Sequence, residues 1–175
     1  GAPAGTAPEG SGVIVSNNGL IVTASHVVNR ATDVIVRDIN GNRFNAEIIF
    51  DDPLTDLALL KTKINNNKIN INLKRPKIGS NTCLISNSFG LDLNITCGIV
   101  SSNRKSGIGF NSKEDFIQID AAANPGSSGG AVVNENGELI GIMSGIFTKQ
   151  SDTNVGVNFA ISSELLIETI SHLLK

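Results

Sequence analysis

The chain has 175 residues, room for one domain or two small lobes, and at this length about 70% of the unfolded surface is buried on folding. Fourteen Lys plus Arg against 16 Asp plus Glu leave a net charge of -2, with no basic cluster to attract nucleic acid or an anionic membrane. The longest apolar runs, such as Val13–Val15 and Leu57–Leu60, fall far short of the ~18 residues that a membrane-spanning helix needs. No charged segment followed by an apolar one opens the chain as a signal peptide would.

Gly1 through Gly10, rich in Gly, Ala and Pro, reads as extended or disordered. Short Val-, Ile- and Leu-rich runs follow, separated by Gly, Asn, Asp and Ser, the punctuation of an all-β protein. Five predicted strands lie near Gly12–Ser16, Leu20–Ala24, Asp33–Asp38, Arg43–Phe50 and Leu57–Ile64, with turns at Asn17-Asn18-Gly19 and Asn40-Gly41. The polar stretch from about 65 to 79 reads as a linker between an N-terminal lobe (about 10–64) and a C-terminal one (about 80–161). Six more strands are predicted near Thr82–Ser86, Ile95–Ser101, Phe116–Asp120, Ala131–Asn134, Glu138–Gly145 and Val155–Ile161, with a hairpin turn at Asn134-Glu135-Asn136-Gly137. Only the tail, about 162–175, looks helical: Ser162 or Ser163 can cap it, and Leu165, Leu166, Ile170, Leu173 and Leu174 recur at helical spacing. That apolar stripe should pack on the second lobe, leaving His172 at the surface or its boundary.

Cys83 and Cys97 have no CxxC pair or neighbouring His, so zinc is not expected, nor is any other metal or cofactor. Their strands read as antiparallel neighbours with a turn centred near residue 90, which sets the two cysteines opposite each other. They are then either a disulfide or two small buried hydrophobes.

The most informative segment is Asn124-Pro125-Gly126-Ser127-Ser128-Gly129-Gly130. Glycines around a serine let the backbone turn sharply and aim N–H groups into a concavity, as an oxyanion hole requires. A serine nucleophile needs a base, and that base needs a buried carboxylate to fix its tautomer. His26, in Thr23-Ala24-Ser25-His26-Val27-Val28 where a strand should end, and Asp56, just before Leu57-Ala58-Leu59-Leu60, supply both. A Ser-Asp-His order built from Ser128, Asp152 and His172 would need parallel strands alternating with helices, which this chain does not show.

Six ordered motifs resemble the HtrA/Deg branch of the trypsin-like serine proteases: Gly10-Ser11-Gly12-Val13-Ile14-Val15, Thr23 to Val28, Asp52 to Leu59, Ile85 to Leu91 with Thr96 to Ser101, Asp120 to Gly130, and Val155 to Ile161. The separations of 30 residues from His26 to Asp56 and 72 from Asp56 to Ser128 resemble the short loops of that branch. The resemblance implies two perpendicular six-stranded β-barrels with the site between them, and a serine endopeptidase acting on polypeptides, unfolded or damaged proteins among them, in a periplasmic, otherwise extracytoplasmic or organellar compartment. It makes Ser128 the nucleophile, His26 the base and then acid, and Asp56 the orienting carboxylate. The N–H groups of Gly126 and Ser128 become the oxyanion hole. Ser144 would support Asp56 and begin the edge, Ser144-Gly145-Ile146, along which a substrate adds as an extra β-strand. Ala122 and Ala123 would line the pocket for the residue before the scissile bond and Asn158 would narrow it, favouring small or medium aliphatic side chains. The alternative is a catalytically silent pseudoprotease that binds peptides or acts as a scaffold.

The chain also departs from the wider pattern. Ser127 stands where trypsin-type zymogens carry the aspartate that traps a new N-terminus, so activation by that route is not expected. No PDZ domain is expected within these residues. The first strand of the N-terminal barrel would precede Gly12, where Gly1 to Glu9 is poor strand material, so that strand is expected to be missing.

Overall fold

In the computed structural model, which describes residues 10–87, 92–146 and 156–174, the strands follow the predicted order. The first set comprises β1 (Val13–Ile14), β2 (Leu20–Ala24), β3 (Val34–Arg37), β4 (Arg43–Asp52) and β5 (Leu57–Lys61). They form one antiparallel sheet in the order β1-β2-β5-β4-β3. The second set, β6 (Asn81–Ser86), β7 (Asn94–Lys105), β8 (Phe116–Ile119), β9 (Ala131–Val133), β10 (Leu139–Ile146) and β11 (Asn158–Ser162), closes into a barrel in the order β10-β11-β8-β7-β6-β9. The second lobe is a closed six-stranded barrel and, as expected of a lobe without its initial strand, the first is among the described residues an open five-stranded half-barrel. Gly1 to Glu9 lie outside the described residues.

β2 and β5 are buried along almost their whole length because both faces of the sheet are covered. Val22, Leu57 and Leu59 join Leu139, Ile142, Phe159 and the tail helix residues Leu165, Leu166 and Ile170 in one cluster between the lobes. Ile21, Ala58 and Leu60, offset by one residue, face the opposite way with Val28 and Ile64. A third cluster, including Leu84, Val100, Ile119, Val132 and Met143, fills the barrel interior.

The linker does more than connect. Ile69 N–H donates to the Ile14 carbonyl at 3.0 Å on the β1 edge, while Asn70 and Asn72 pair with Leu139 at 2.8 and 2.9 Å, so the segment is stitched to both lobes. The predicted tail helix is α2 (Ser163–Ile170), followed by a 3₁₀ turn over Ser171–Leu173. Ser162 is its cap, accepting from Leu165 N–H at 3.1 Å. His172 is exposed, its ring edge-on to Phe50 with centroids 6.2 Å apart. A second helix was not expected: a single turn, α1 (Ser25–Val28), begins where β2 stops, and His26 lies within it rather than at a plain strand end.

Cys83 and Cys97 are directly opposite in the β6–β7 ladder and form a disulfide. Cys97 is exposed, which excludes the reading of two buried hydrophobes.

Candidate active site

α1 has no side-chain cap, and its first N–H groups are satisfied from 30 residues away. Ser25 N–H donates to the Asp56 carbonyl at 2.8 Å and His26 N–H to Asp56 Oδ1 at 2.9 Å. Asp56 itself has φ of 65°, the left-handed region that side-chain-bearing residues avoid, so surrounding bonds must hold it there. Within its turn, Asp52 Oδ1 accepts from Leu54 N–H at 3.1 Å and Oδ2 from the Thr55 hydroxyl at 2.8 Å. From the barrel, Lys113 N–H donates to the Leu54 carbonyl at 2.9 Å and the Asn111 amide to the Thr55 carbonyl at 3.3 Å. The loop that carries these donors is wound around Glu114, whose carboxylate accepts from the N–H groups of Ile108, Phe110 and Asn111 at 2.6, 2.8 and 2.9 Å. Partial burial pushes the Glu114 carboxyl up, but these backbone donors together hold it below its usual value.

Four side chains line up across the lobes. Ser144 Oγ donates to Asp56 Oδ2 at 2.7 Å, His26 Nδ1 lies 2.8 Å from the same oxygen, and His26 Nε2 is 2.9 Å from Ser128 Oγ. A carboxylate only accepts, so Nδ1 carries the ring proton and Nε2 is left as an acceptor facing the serine hydroxyl. The hydrogen bond to Asp56 raises the His26 pKa above its ordinary 6.5; partial burial works against it and the charge of Asp56 adds to it. Asp56 is buried at 7% exposure, whereas the His26 side chain is 53% exposed, open to a substrate on one side.

The turn bearing Ser128 is closed by Ser127 N–H donating to the Asn124 carbonyl and Gly130 N–H to the Ser127 carbonyl, both at 2.9 Å. The Ser127 hydroxyl is buried and accepts from Asn124 N–H at 3.0 Å, so this side chain braces the turn. Gly126 has φ of 93°, a conformation open to glycine. Among the described residues, neither the Gly126 N–H nor the Ser128 N–H donates to another protein group.

The remaining candidates are more dispersed. Ala122 is exposed and its carbonyl accepts from the Thr96 hydroxyl at 2.5 Å, while Ala123 lies in the barrel interior cluster. Asn158 is fully buried and donates to the Ala121 carbonyl at 2.7 Å, fastening β11 to the segment that leads into the serine turn. Gly145 and Ile146 belong to β10 beyond Ile142, where pairing with β9 has ended and β11 continues on the other side.

A family described as trypsin-like peptidase domain matches residues 10–142, which include His26, Asp56 and Ser128. The chain belongs to the trypsin-like peptidase family. Its relatives are of the HtrA/Deg branch. Periplasmic serine endoprotease DegP of Escherichia coli (strain K12) is 40% identical over 170 residues, covering 95% of this chain and 36% of that protein. Serine endoprotease DegS of the same strain is 40% identical over 171 residues, covering 95% of this chain and 48% of DegS. Among solved structures, HtrA-type protease AlgW with a decapeptide matches at a TM-score of 0.88 and 39% identity over 94% of this chain and 51% of that one. The serine endoprotease from Yersinia pestis matches at 0.83 and 37% over 99% and 60%. The chain therefore spans about a third to a half of these curated relatives.

In this peptidase domain a cleft of about 350 Å³ opens beside His26, lined by Asn29, Pro53, Phe110 and Asn111 as well as Ser25, Asp56 and Ser144. Phe110 and Asn111 escaped the reading of the sequence. Gly107 and Gly109 mark their segment as a loop, but nothing local says that it folds back onto the Asp56 turn.

Proposed function

We propose that this chain is the catalytic domain of a serine endopeptidase that works through an acyl-enzyme at Ser128. The observation that carries this reading is the unbroken hydrogen-bond chain from Ser144 through Asp56 and His26 to Ser128. As Ser128 Oγ attacks the carbonyl carbon of the scissile bond, its proton passes to His26 Nε2 and the carbonyl electron pair moves onto oxygen. That oxyanion is held by the N–H groups of Gly126 and Ser128, each donor contributing about 2.7–4 kcal/mol of transition-state stabilisation. Collapse breaks the C–N bond, and the departing amine takes the proton from His26. Water, deprotonated by His26, then attacks the ester, and Ser128 leaves with the proton. Asp56 keeps the imidazole in the required tautomer throughout. No observation favours a catalytically silent scaffold.

Substrate enters as an extra strand along Ser144 to Ile146, where, among the described residues, the β10 edge that pairs with β9 and then, at Met143, with Gly129 and Gly130 has no further partner. A segment bound this way must be locally extended, which favours unfolded or damaged proteins. Ala122, Ala123 and Asn158 bring no charge to the segment that leads into the serine turn, which favours a small or medium aliphatic side chain before the scissile bond. The exposed disulfide suits an oxidising, extracytoplasmic compartment, in keeping with the periplasmic location in the name of DegP. A fluorophosphonate probe tests the reading. Wild type and Ser127→Ala should acylate and Ser128→Ala should not, with a loss of peptidase activity on the order of 10⁶ in kcat. An inert wild type, or labelling that survives Ser128→Ala, would refute it.

A further inference from the structure

The Gly10-Ser11-Gly12 motif has no part in the mechanism above, yet its central residue touches the serine turn. A Cβ on Gly10 would lie 2.5 Å from a Val27 methyl and one on Gly12 2.8 Å from an Ile21 methyl, so the absence of side chains lets this segment press against α1 and β2. Seated there, Ser11 makes four hydrogen bonds to distant residues. Its N–H donates to the Ser128 carbonyl at 2.9 Å and its hydroxyl to the Gly126 carbonyl at 2.7 Å. The same hydroxyl accepts from Asn87 N–H at 2.8 Å, and its carbonyl accepts from the Thr23 hydroxyl at 2.6 Å.

The two carbonyls it holds belong to rigid peptide planes. The Gly126–Ser127 plane is pinned at its carbonyl end by the Ser11 hydroxyl and at its N–H end by the Asn124 carbonyl. The Ser128–Gly129 plane is pinned by Ser11 N–H at one end and by the Met143 carbonyl, 2.8 Å from Gly129 N, at the other. The oxyanion donors, Gly126 N–H and Ser128 N–H, belong to the planes next to these: Pro125–Gly126 adjoins the first, and Ser127–Ser128 lies between the two. Freeing either pinned plane loosens a neighbour that carries a donor. The fit leaves no slack, because a Cβ on Gly129 would stand 2.0 Å from the Ser11 carbonyl oxygen.

We infer that Ser11 is a positioning residue that sets the oxyanion hole, bracing the serine turn from the half-barrel lobe through Thr23. The inference rests on the roles proposed above for Gly126 and Ser128. Ser11→Ala removes the hydroxyl alone. It should slow acylation by about 10- to 100-fold, the effect of misplacing reacting groups by about an ångström, with KM little changed. Its second readout needs no activity: the ¹⁵N amide resonances of Ser127, on the released plane, and of Asn87, which loses its acceptor, should shift. Gly129, whose plane Ser11 N–H still holds, should not. Thr23→Val, which removes the anchor on the Ser11 carbonyl and puts a methyl where the hydroxyl stands beside Gly129, should give a loss in the same direction and serves if Ser11→Ala fails to fold. Acylation of Ser11→Ala at the wild-type rate, or amide shifts spread through the barrel with a matching fall in melting temperature, would overturn the inference. An inert wild type would instead count against the proposed function, and the Ser127 shift would still decide whether Ser11 holds that plane.

Discussion

Replacing Asp56 with Asn strikes the hydrogen-bond chain where three donors converge. His26 N–H reaches Oδ1 at 2.9 Å, Ser144 Oγ reaches Oδ2 at 2.7 Å, and His26 Nδ1 lies 3.0 and 2.8 Å from the two oxygens. A carboxylate can accept from all three, whereas an amide offers one oxygen. That oxygen must face the fixed His26 N–H, because an NH₂ there would meet a donor. The NH₂ then faces Ser144, which can rotate to accept, and Nδ1, which must give up its proton. The ring proton moves to Nε2 and points at Ser128, which no longer has a base. A loss of about 10⁴ in kcat, or about 5 kcal/mol, is expected with little change in fold. The His26 pKa moves as well. With both contributions of Asp56 gone, only burial acts on it, so the midpoint should fall from above 6.5 to below 6.5. With two histidines in the chain, a proton NMR titration of His26 beside a pH–rate profile reads this directly. Linkage adds a check of sign: a folded pKa raised above the unfolded one gives stability that is present below about 6.5 and lost as pH rises through the folded value. Asp56→Asn should therefore destabilise more at pH 5 than at pH 9. A variant within tenfold of wild type, with an unmoved His26 midpoint, would refute the tautomer argument.

Reducing the Cys83–Cys97 disulfide reopens a loop closed over a separation of 14 residues, which is worth about 3 kcal/mol by chain entropy and about 6–12 °C in melting temperature. Calorimetry with and without reductant, with Cys83→Ala/Cys97→Ala insensitive to reductant, checks this; an unshifted melt would contradict it. Glu114→Ala takes away the acceptor around which residues 108–111 are wound and should lower kcat by about 10- to 100-fold by loosening the support of the Asp56 turn. Because the folded Glu114 pKa is depressed, its contribution is present above the ordinary 4.5 and lost as pH falls through the folded value, so the protection of the Phe110 and Asn111 amides relative to their intrinsic exchange rates should fall in acid. Exchange equal to that of wild type in Glu114→Ala would show that the carboxylate does not organise the loop.

What the sequence made legible were features carried by local pattern. The runs at Leu20–Ala24 and Leu57–Lys61 are strands buried on both faces, and the glycine turn around Ser128 declares its own flexibility. The apposition of Cys83 and Cys97 followed from counting outward from a turn, although residues 88–91 of that turn lie outside the described residues. The unread features depend on partners far along the chain. α1 is four residues long with no side-chain cap and gains its first acceptors from Asp56. β7 runs on through the polar residues Asn103 to Lys105 because Lys105 pairs with Phe116 on β8, against what their composition suggests. The linker is too polar to read as paired, yet Ile69 bonds to Ile14 of one lobe while Asn70 and Asn72 bond to Leu139 of the other.

These long-range bonds explain how an open half-barrel can supply half of the proposed catalytic site. The cluster joining Leu57 and Leu59 to Leu139 and Phe159 presses the lobes together, but hydrophobic contact is non-directional and tolerates sliding on the scale that matters to proton transfer. Direction comes from polar contacts that cross the boundary, among them Ser144 to Asp56, Lys113 and Asn111 to the turn before it, and Ser11 to the carbonyls around Ser128. Each such bond is worth about 0.5–1.5 kcal/mol to folding, or about 1.5–3 where it reaches the Asp56 carboxylate, a modest part of the stability of a domain this size. Each nevertheless orients a part of the proposed site, where an error of about an ångström can cost about 100-fold in rate. Stability and activity therefore rest on different contacts, the first on the apolar cluster and the second on a few hydrogen bonds between parts that would stay folded without them.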